Sequence, residues 1–282
     1  MIDSHAHLSY ETSVNSIEKI IKKFVGLGGT FIIDIATGKT ELEQCLATQK
    51  SFAEVVKLSY AVHPERSHQT DEPIESHVAT LLKELEEMDS LVTAAKVNPV
   101  AIGETGYDIY RTEKEKSSLI SAETVLFTSH IQLAQKKNLP IMIHARGESN
   151  TDYSMHYKSV ETIKALGMNI PYYFHSFAGD ISLLKEILDV DAYVGINGVI
   201  SYQNVADLRE SIKHIPLERL LLETDTPFLI PSNMERTLLE DKSKNEPAAI
   251  LYTAKIIGKL LNAAPEKIIE VTTDNAKRFY QL

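Results

Sequence analysis

The sequence predicts an α/β protein of the (β/α)8 TIM barrel class, on three observations. Short β-rich apolar runs alternate with longer stretches of helical period along all 282 residues. There are eight such runs, the strand count of a closed parallel barrel. No GxGxxG follows the first run and no P-loop occurs anywhere, so the phosphate-binding turn that opens a doubly wound sheet is missing.

Taken in order, the predicted strands are Met1 to Ser4, Thr30 to Ala36 (TFIIDIA), Val55 to Val62 (VVKLSYAV) and Val100 to Glu104 (VAIGE), followed by Pro140 to His144 (PIMIH), Tyr172 to His175 (YYFH), Ala192 to Ile196 (AYVGI) and Leu220 to Glu223 (LLLE). Each is short and rich in β-branched or aromatic residues, which suit a strand buried on both faces. The intervening helices are predicted at Val14 to Leu27, Glu41 to Ser51, Ile74 to Met88, Ser117 to Lys137, Tyr157 to Leu166, Ile181 to Leu188 and Val205 to His214. Two more follow the last strand, Pro247 to Leu261 and Pro265 to Leu282, each opening on a proline whose missing N–H would have no partner in a first turn anyway. The polar stretch Ser232 to Glu246 reads as a loop. Without a linker or an internal repeat, residues 1–282 are read as a single barrel domain.

Composition narrows the function classes. With 43% hydrophobic residues, 12 Gly and 10 Pro, the chain is neither disordered nor fibrous. A net charge of −10 argues against broad electrostatic capture of nucleic acid or of an anionic membrane, though a local basic patch can survive under an acidic total. Cys45, the single cysteine, cannot form an intramolecular disulfide and lies in a helical stretch, where it reads as a buried structural thiol. No apolar run is long enough for a membrane helix, and MIDSHAHLSYE lacks the features of a secretory signal. The expected setting is the reducing cytoplasm, with no membrane contact and no stable protein partner implied.

The chemistry collects at the strand ends. His5 and His7 are two apart, so a strand period of two projects both from one face. Glu104, His144 and His175 end the fourth, fifth and sixth predicted strands, and Asp225 lies just beyond the eighth. In a parallel barrel all those ends open onto one mouth. Imidazole and carboxylate together suit Zn2+, Mn2+, Fe or Ni, and carboxylate with water suits Mg2+. Four imidazoles and two carboxylates suffice for two divalent ions if one carboxylate bridges. Such a pair activates water for hydrolysis. His63 closes the third strand at the same mouth but fills no necessary ligand slot. His68, His77, His130, His156 and His214 read as ordinary surface or core histidines. Glu223, two before Asp225, reads as a supporting carboxylate.

The blocks MIDSHAHL, AVHP, AIGETGYD, LPIMIHAR, FHSFAGD, LLLETDTPFLIP and NEPAAI, with the ending TDNAKRFY, resemble in this order the TatD-type metal-dependent deoxyribonucleases of the amidohydrolase-like hydrolase superfamily. That resemblance implies a two-metal barrel in which Mg2+ supports activity and other divalent ions can occupy the site. It implies His5, His7 and Asp225 on the first metal, His144 and His175 on the second, and Glu104 bridging. It also places Arg146 against phosphate and His63 near the substrate. Tyr107 stands where the family often has Leu, and Ser176 and Ala178 depart from its HCFSG block. These departures bear on substrate preference more than on catalysis.

The expected activity is hydrolysis of DNA phosphodiester bonds, with a single-stranded 3′ end as substrate, Glu104 and Asp225 catalytic and Arg146 neutralising phosphate charge. Arg66 and Arg111 are further candidate cations at the mouth. An amide or ester hydrolase on the same barrel, such as a cyclic amidohydrolase or an aminoacyl-tRNA deacylase, is the alternative reading, because fold alone does not decide the bond.

Overall fold

The computed structural model of the protein describes residues 1–10, 14–68, 70 and 72–282. Eight strands run in chain order: β1 (Ile2–Ala6), β2 (Phe31–Ala36), β3 (Val56–Tyr60), β4 (Ala101–Asp108), β5 (Ile141–Arg146), β6 (Tyr172–Phe174), β7 (Tyr193–Ile196) and β8 (Leu220–Leu222). Each pairs in parallel with the next. The chain beyond β8 brings the ends of the sheet together: Asp225 N donates to His5 O at 2.9 Å and His7 N to Thr226 O at 2.7 Å. The result is the expected (β/α)8 barrel.

The helices on its outside are α1 (Val14–Gly26), α2 (Lys39–Ser51), α3 (Ile74–Ala95), α4 (Lys116–Lys137), α5 (Ser154–Leu166), α6 (Ile181–Asp189), α7 (Ala206–Ile212), α8 (Ile250–Leu261) and α9 (Pro265–Tyr280). Among the described residues no helix is long and apolar enough to cross a membrane. A large apolar shell forms between helices and strands, where Ile32, Leu58, Ile102, Ile141 and Val194 meet Phe24, Leu85, Phe127 and Ile187. A second cluster joins Ile33, Ile35, Met142, Tyr173 and Leu221 to Phe279 and Tyr280 of α9. The Tyr280 hydroxyl donates to Ser4 O at 2.8 Å, which ties the last helix to the first strand. Cys45 is a buried free thiol on α2, as expected.

Several boundaries move. β1 runs on through His5, and β4 continues four residues past Glu104 because its pairing with β5 extends to Asp108 opposite Arg146. Glu104 is therefore held inside a strand rather than at its tip. The predicted helix from Pro247 divides into a 3-10 turn, Pro247–Ala249, and α8, while α3 continues to Ala95.

The GETG segment carries a backbone demand that only glycine meets. Gly106 has φ +139°, and a Cβ there would lie 2.2 Å from His144 O on β5. Gly167, the left-handed cap of α5, has φ +58° but open space around it. Gly167→Ala is expected to cost about 1–2 kcal/mol, the conformational penalty alone. Gly106→Ala should cost more, because the strands must also separate. Chemical denaturation of the two variants checks this ordering, and equal losses would refute the close-approach argument.

Candidate metal centre at the mouth of the barrel

Five imidazoles face one buried carboxylate. Glu104 Oε2 lies 2.8 Å from His175 Nε2, 3.3 Å from His144 Nδ1 and 3.7 Å from His5 Nε2. Its Oε1 lies 3.4 Å from His7 Nε2 and 3.7 Å from His63 Nε2. Asp225 Oδ1 stands 3.4 Å from both His5 Nε2 and His7 Nε2. The structure therefore brings together all six residues predicted as ligands, with His63 beside them.

Local structure explains the placement. Asp225 adopts φ +56°, a left-handed conformation that Asp tolerates better than most residues, just where the chain crosses from β8 to β1. Asp3, fully buried, accepts from Thr224 N at 2.9 Å, from Thr224 Oγ1 at 2.5 Å and from His5 N at 3.3 Å. One carboxylate thus registers both site segments. Asp34 accepts from Leu8 N at 2.9 Å and fixes the turn that follows His7.

For three of the rings a hydrogen bond on one nitrogen selects the tautomer, whereas the Nδ1 atoms of His7 and His175 are buried and make no hydrogen bond among the described residues. His144 Nε2 meets Asp108 Oδ2 at 2.9 Å, so in the neutral ring its N–H points at that carboxylate and the Nδ1 lone pair turns to the cluster. His5 Nδ1 meets the Met142 thioether at 2.9 Å, a weak acceptor for its N–H, which leaves Nε2 facing inward as a lone pair. His63 is the reverse case. Its Nδ1 accepts from Glu65 N at 3.1 Å, and burial followed by the charge of His144 lowers it to about 3, so it stays neutral. Its proton is therefore on Nε2, and the ring presents an N–H donor to the cluster rather than a ligand lone pair.

The remaining geometry fits a cation. His5 Nε2 and His7 Nε2 face each other at 3.0 Å, and His144 Nδ1 and His175 Nε2 at 3.2 Å. Facing lone pairs at those distances repel unless a proton or a cation lies between them. Ligand atoms within 4.8 Å of one another occur in the groups His5, His7, Glu104 and His5, His175, Asp225. A third group, His63, Glu104, His144, meets the distance but not the tautomer. The nitrogen and oxygen donors match a divalent metal site.

Without a metal, protons take up part of that role. Burial opposes a charge on His7, but its bond to Asp225 and the charges of Glu104 and Asp225 raise it to about 9. Burial likewise opposes a charge on His144, and Asp108 and Glu104 raise it to about 10. His5 is driven well below its ordinary value by burial and then by the charge of His175. Burial pushes the Glu104 carboxyl up, yet the surrounding imidazoles, His175 foremost, hold it well below the usual carboxylate range.

Other predicted residues fall in different places. Arg146 is exposed at the end of β5, its guanidinium 3.6 Å over the Tyr110 ring, with Arg111 4.8 Å from the same ring. Arg66 is paired with Glu84 at 2.9 Å, which removes it as an unpaired cation at the mouth. Glu223 does not join Asp225. It accepts from Ser176 N at 2.6 Å, from Asn197 Nδ2 at 2.9 Å and from the Tyr173 hydroxyl, bracing the segment just after His175. His130 is structural: its Nε2 accepts from Val62 N at 3.0 Å, and its Nδ1 lies 2.8 Å from Leu126 O and 2.9 Å from Thr105 Oγ1. His68 approaches Asp108 O and Glu123, His77 reaches Arg66 O at 2.9 Å, and His214 is an exposed neighbour of Glu210. His156 comes closer to the centre than an ordinary histidine should. After burial, the charges of His144 and His175 help lower it to about 3.

Asp108 is the residue that sequence reasoning missed. It follows GETG by two positions and looked like loop, since the fourth strand was ended too early. An acidic residue at that spacing on a strand paired with the IHAR strand was the available signal.

A (β/α)8 barrel whose mouth gathers imidazoles around a shared buried carboxylate defines a class, the metal-dependent hydrolases. Within that class, the sequence profile of TatD related DNases matches residues 2–281, and the chain belongs to that family. It is 28% identical over 283 residues to the uncharacterized metal-dependent hydrolase YabD of Bacillus subtilis, covering 100% of this chain and 99% of that one. It is 27% identical to the uncharacterized metal-dependent hydrolase TatD of Mycobacterium tuberculosis, covering 100% and 98%. The fold is similar to that of YJJV, a TatD homologue of Escherichia coli K12, with a TM-score of 0.81 at 20% identity over 100% of this chain and 98% of that one.

Two measurements test the centre. Asp108→Ala is expected to weaken divalent-ion affinity roughly 10- to 100-fold, as loss of a ligand-orienting carboxylate does, while His63→Ala leaves it nearly unchanged. Titration with Mn2+ or Zn2+ reads both, and the opposite ranking would refute the tautomer assignment. At pH 7, below the raised values of about 9 and 10, His7 and His144 carry protons that a metal must displace. Binding should therefore release protons and tighten as pH rises toward those values. Calorimetry in buffers of different ionisation enthalpy checks the release, and none at pH 7 would contradict it.

Proposed function

We propose that this metal-dependent hydrolase is a deoxyribonuclease that trims single-stranded DNA from its 3′ end, with two divalent ions at the mouth and Mg2+ as the activating metal. The supporting observation is the pairing of a carboxylate-and-imidazole centre with two arginines, Arg111 and Arg146, that have no carboxylate partner among the described residues and flank Tyr110 beside it. A guanidinium fork suits phosphate oxygens. Membership of a family described as DNases supports the same bond.

The first ion would be held by His5, His7 and Asp225, the second by His144 and His175, with Glu104 shared between them. Bound there, the ions would supply Lewis acidity and lower the pKa of an attacking water. Glu104, encircled by imidazoles and 5% exposed, is suited to holding cations. Asp225, at 15%, lies where solvent reaches it and is the carboxylate placed to accept the proton of the attacking water. The His63 N–H, 3.7 Å from Glu104 and so beyond a good hydrogen bond to it, is available to a phosphate oxygen. Arg146 neutralises charge on the same phosphate. In-line displacement then needs positioning and charge neutralisation more than covalent help from the protein.

The negative total charge fits a local mode of capture. Few phosphate contacts, set by individual arginines, imply a weak salt dependence compared with a broadly basic DNA-binding protein. The single buried thiol suits the cytoplasm as the working compartment.

Protein stripped with chelator is expected to regain 3′ exonuclease activity on a single-stranded oligonucleotide when Mg2+ or Mn2+ is restored. Glu104→Ala and Asp225→Ala should each lower turnover at least about a hundredfold while unfolding stays cooperative. Near-wild-type rates in either variant would remove that residue from the mechanism. No cleavage with any divalent ion, together with turnover of an amide or aminoacyl ester, would replace the nuclease reading.

A further inference from the structure

The centre is polar and charged, yet two large aromatic rings stand exposed at its rim. Tyr10 is 42% and Phe228 50% exposed. Their ring centroids lie 5.8 Å apart, and those of Tyr10 and Phe228 lie 5.4 and 6.2 Å from the His7 imidazole. Among the described residues the remaining large aromatic of comparable exposure is Tyr157, far along the sequence on α5.

Both rings are held by turns that start on site residues. Tyr10 N donates to His7 O at 3.3 Å, and Phe228 N donates to Asp225 O at 2.8 Å. Each aromatic thus sits three residues beyond a residue of the cluster. The two turns are joined by the His7 N to Thr226 O bond that helps close the barrel. These rings are therefore fixed relative to the catalytic centre, and their apolar faces remain open to solvent. Leaving such area in water is unfavourable unless a ligand covers it.

We infer that Tyr10 and Phe228 form a stacking subsite for the nucleobase of the terminal nucleotide whose phosphodiester lies at the metal centre. The inference rests on the nuclease reading and sharpens it. A base is a flat apolar face one sugar away from its phosphate, the relation these rings bear to the cluster. Stacking tolerates every base, because each has a π-face, and so gives preference for nucleic acid over other phosphodiesters without sequence specificity. Single strands are favoured, since a paired base has its faces covered by its neighbours. Arg146 and Tyr110 stand by the β4 and β5 ends of the mouth, where phosphate would be gripped, while Tyr10 and Phe228 follow β1 and β8. The two features divide recognition between the charge and the base.

The test compares two single-stranded oligonucleotides of equal length, one ending in an ordinary 3′ nucleotide and the other in an abasic deoxyribose at the same position. The wild-type protein with Mg2+ should prefer the base-bearing end about five- to hundredfold in kcat/KM. That ratio should collapse toward one in Phe228→Ala and in Tyr10→Ala, and should recover in Phe228→Tyr and Tyr10→Phe. Fluorescence anisotropy of the same oligonucleotides with chelated wild-type and variant protein should show the same ordering of affinities. A ratio retained in the alanine variants, or an equal loss on both ends, would overturn the subsite and leave the rings a purely structural role. If no oligonucleotide is cleaved, the nuclease reading fails. The anisotropy comparison then still decides the subsite, because equal affinity for both ends refutes it.

Discussion

Everything at the mouth is organised around the Glu104 carboxylate, buried and encircled by five imidazoles. A lone carboxylate at that depth would be too costly to keep ionised. Here the charge is stabilised from several directions, and His175 alone approaches to 2.8 Å. In the metal-free protein the opposing charge comes from protons on His7 and His144. The same lone pairs serve protons and cations. Metal and proton therefore compete for one site, and the barrel presents a preformed cavity for positive charge.

Closure of the barrel and assembly of that cavity are one event. The bonds that bring β8 to β1, from Asp225 N to His5 O and from His7 N to Thr226 O, involve three of the clustered residues. Asp3 reinforces them by holding Thr224 and His5 at once. Beneath, Glu223 braces Ser176 and Asn197, and Asp108 grips His144. Buried carboxylates that bind no cation directly thus orient the groups that face one. Cations held at the mouth would offset part of the local negative charge of a chain whose net charge is −10.

The rim divides into two chemistries. Arg111 and Arg146 flank Tyr110 on one side, and Tyr10 and Phe228 flank His7 on the other. An acidic protein has no general attraction for a polyanion, so on the nuclease reading proposed above recognition falls to such local groups. In that proposal the arginines would meet phosphate and the aromatic rings a flat apolar partner.

Much of this was legible in the linear chain. Short β-rich apolar runs and period-3.6 stretches fix strand and helix order locally, because β-propensity and amphipathicity are properties of neighbouring residues. His5, His7, Glu104, His144, His175 and Asp225 could be named because a parallel barrel sends every strand end to one mouth. What the chain alone did not reveal depends on contacts between distant segments. The length of β4 is set by pairing with β5, and so Asp108 looked like loop until that register placed it against His144. Arg66 looked like an unpaired cation until α3 brought Glu84 to it. His63 was placed at the mouth without a ligand slot, and only the Glu65 N–H on its Nδ1 shows that it presents a donor to the cluster. The sequence by itself determined the architecture and the donor types. Only the tertiary structure decided the tautomers, the ion pairs and the exposed rings, because each is fixed by a partner that local pattern cannot identify.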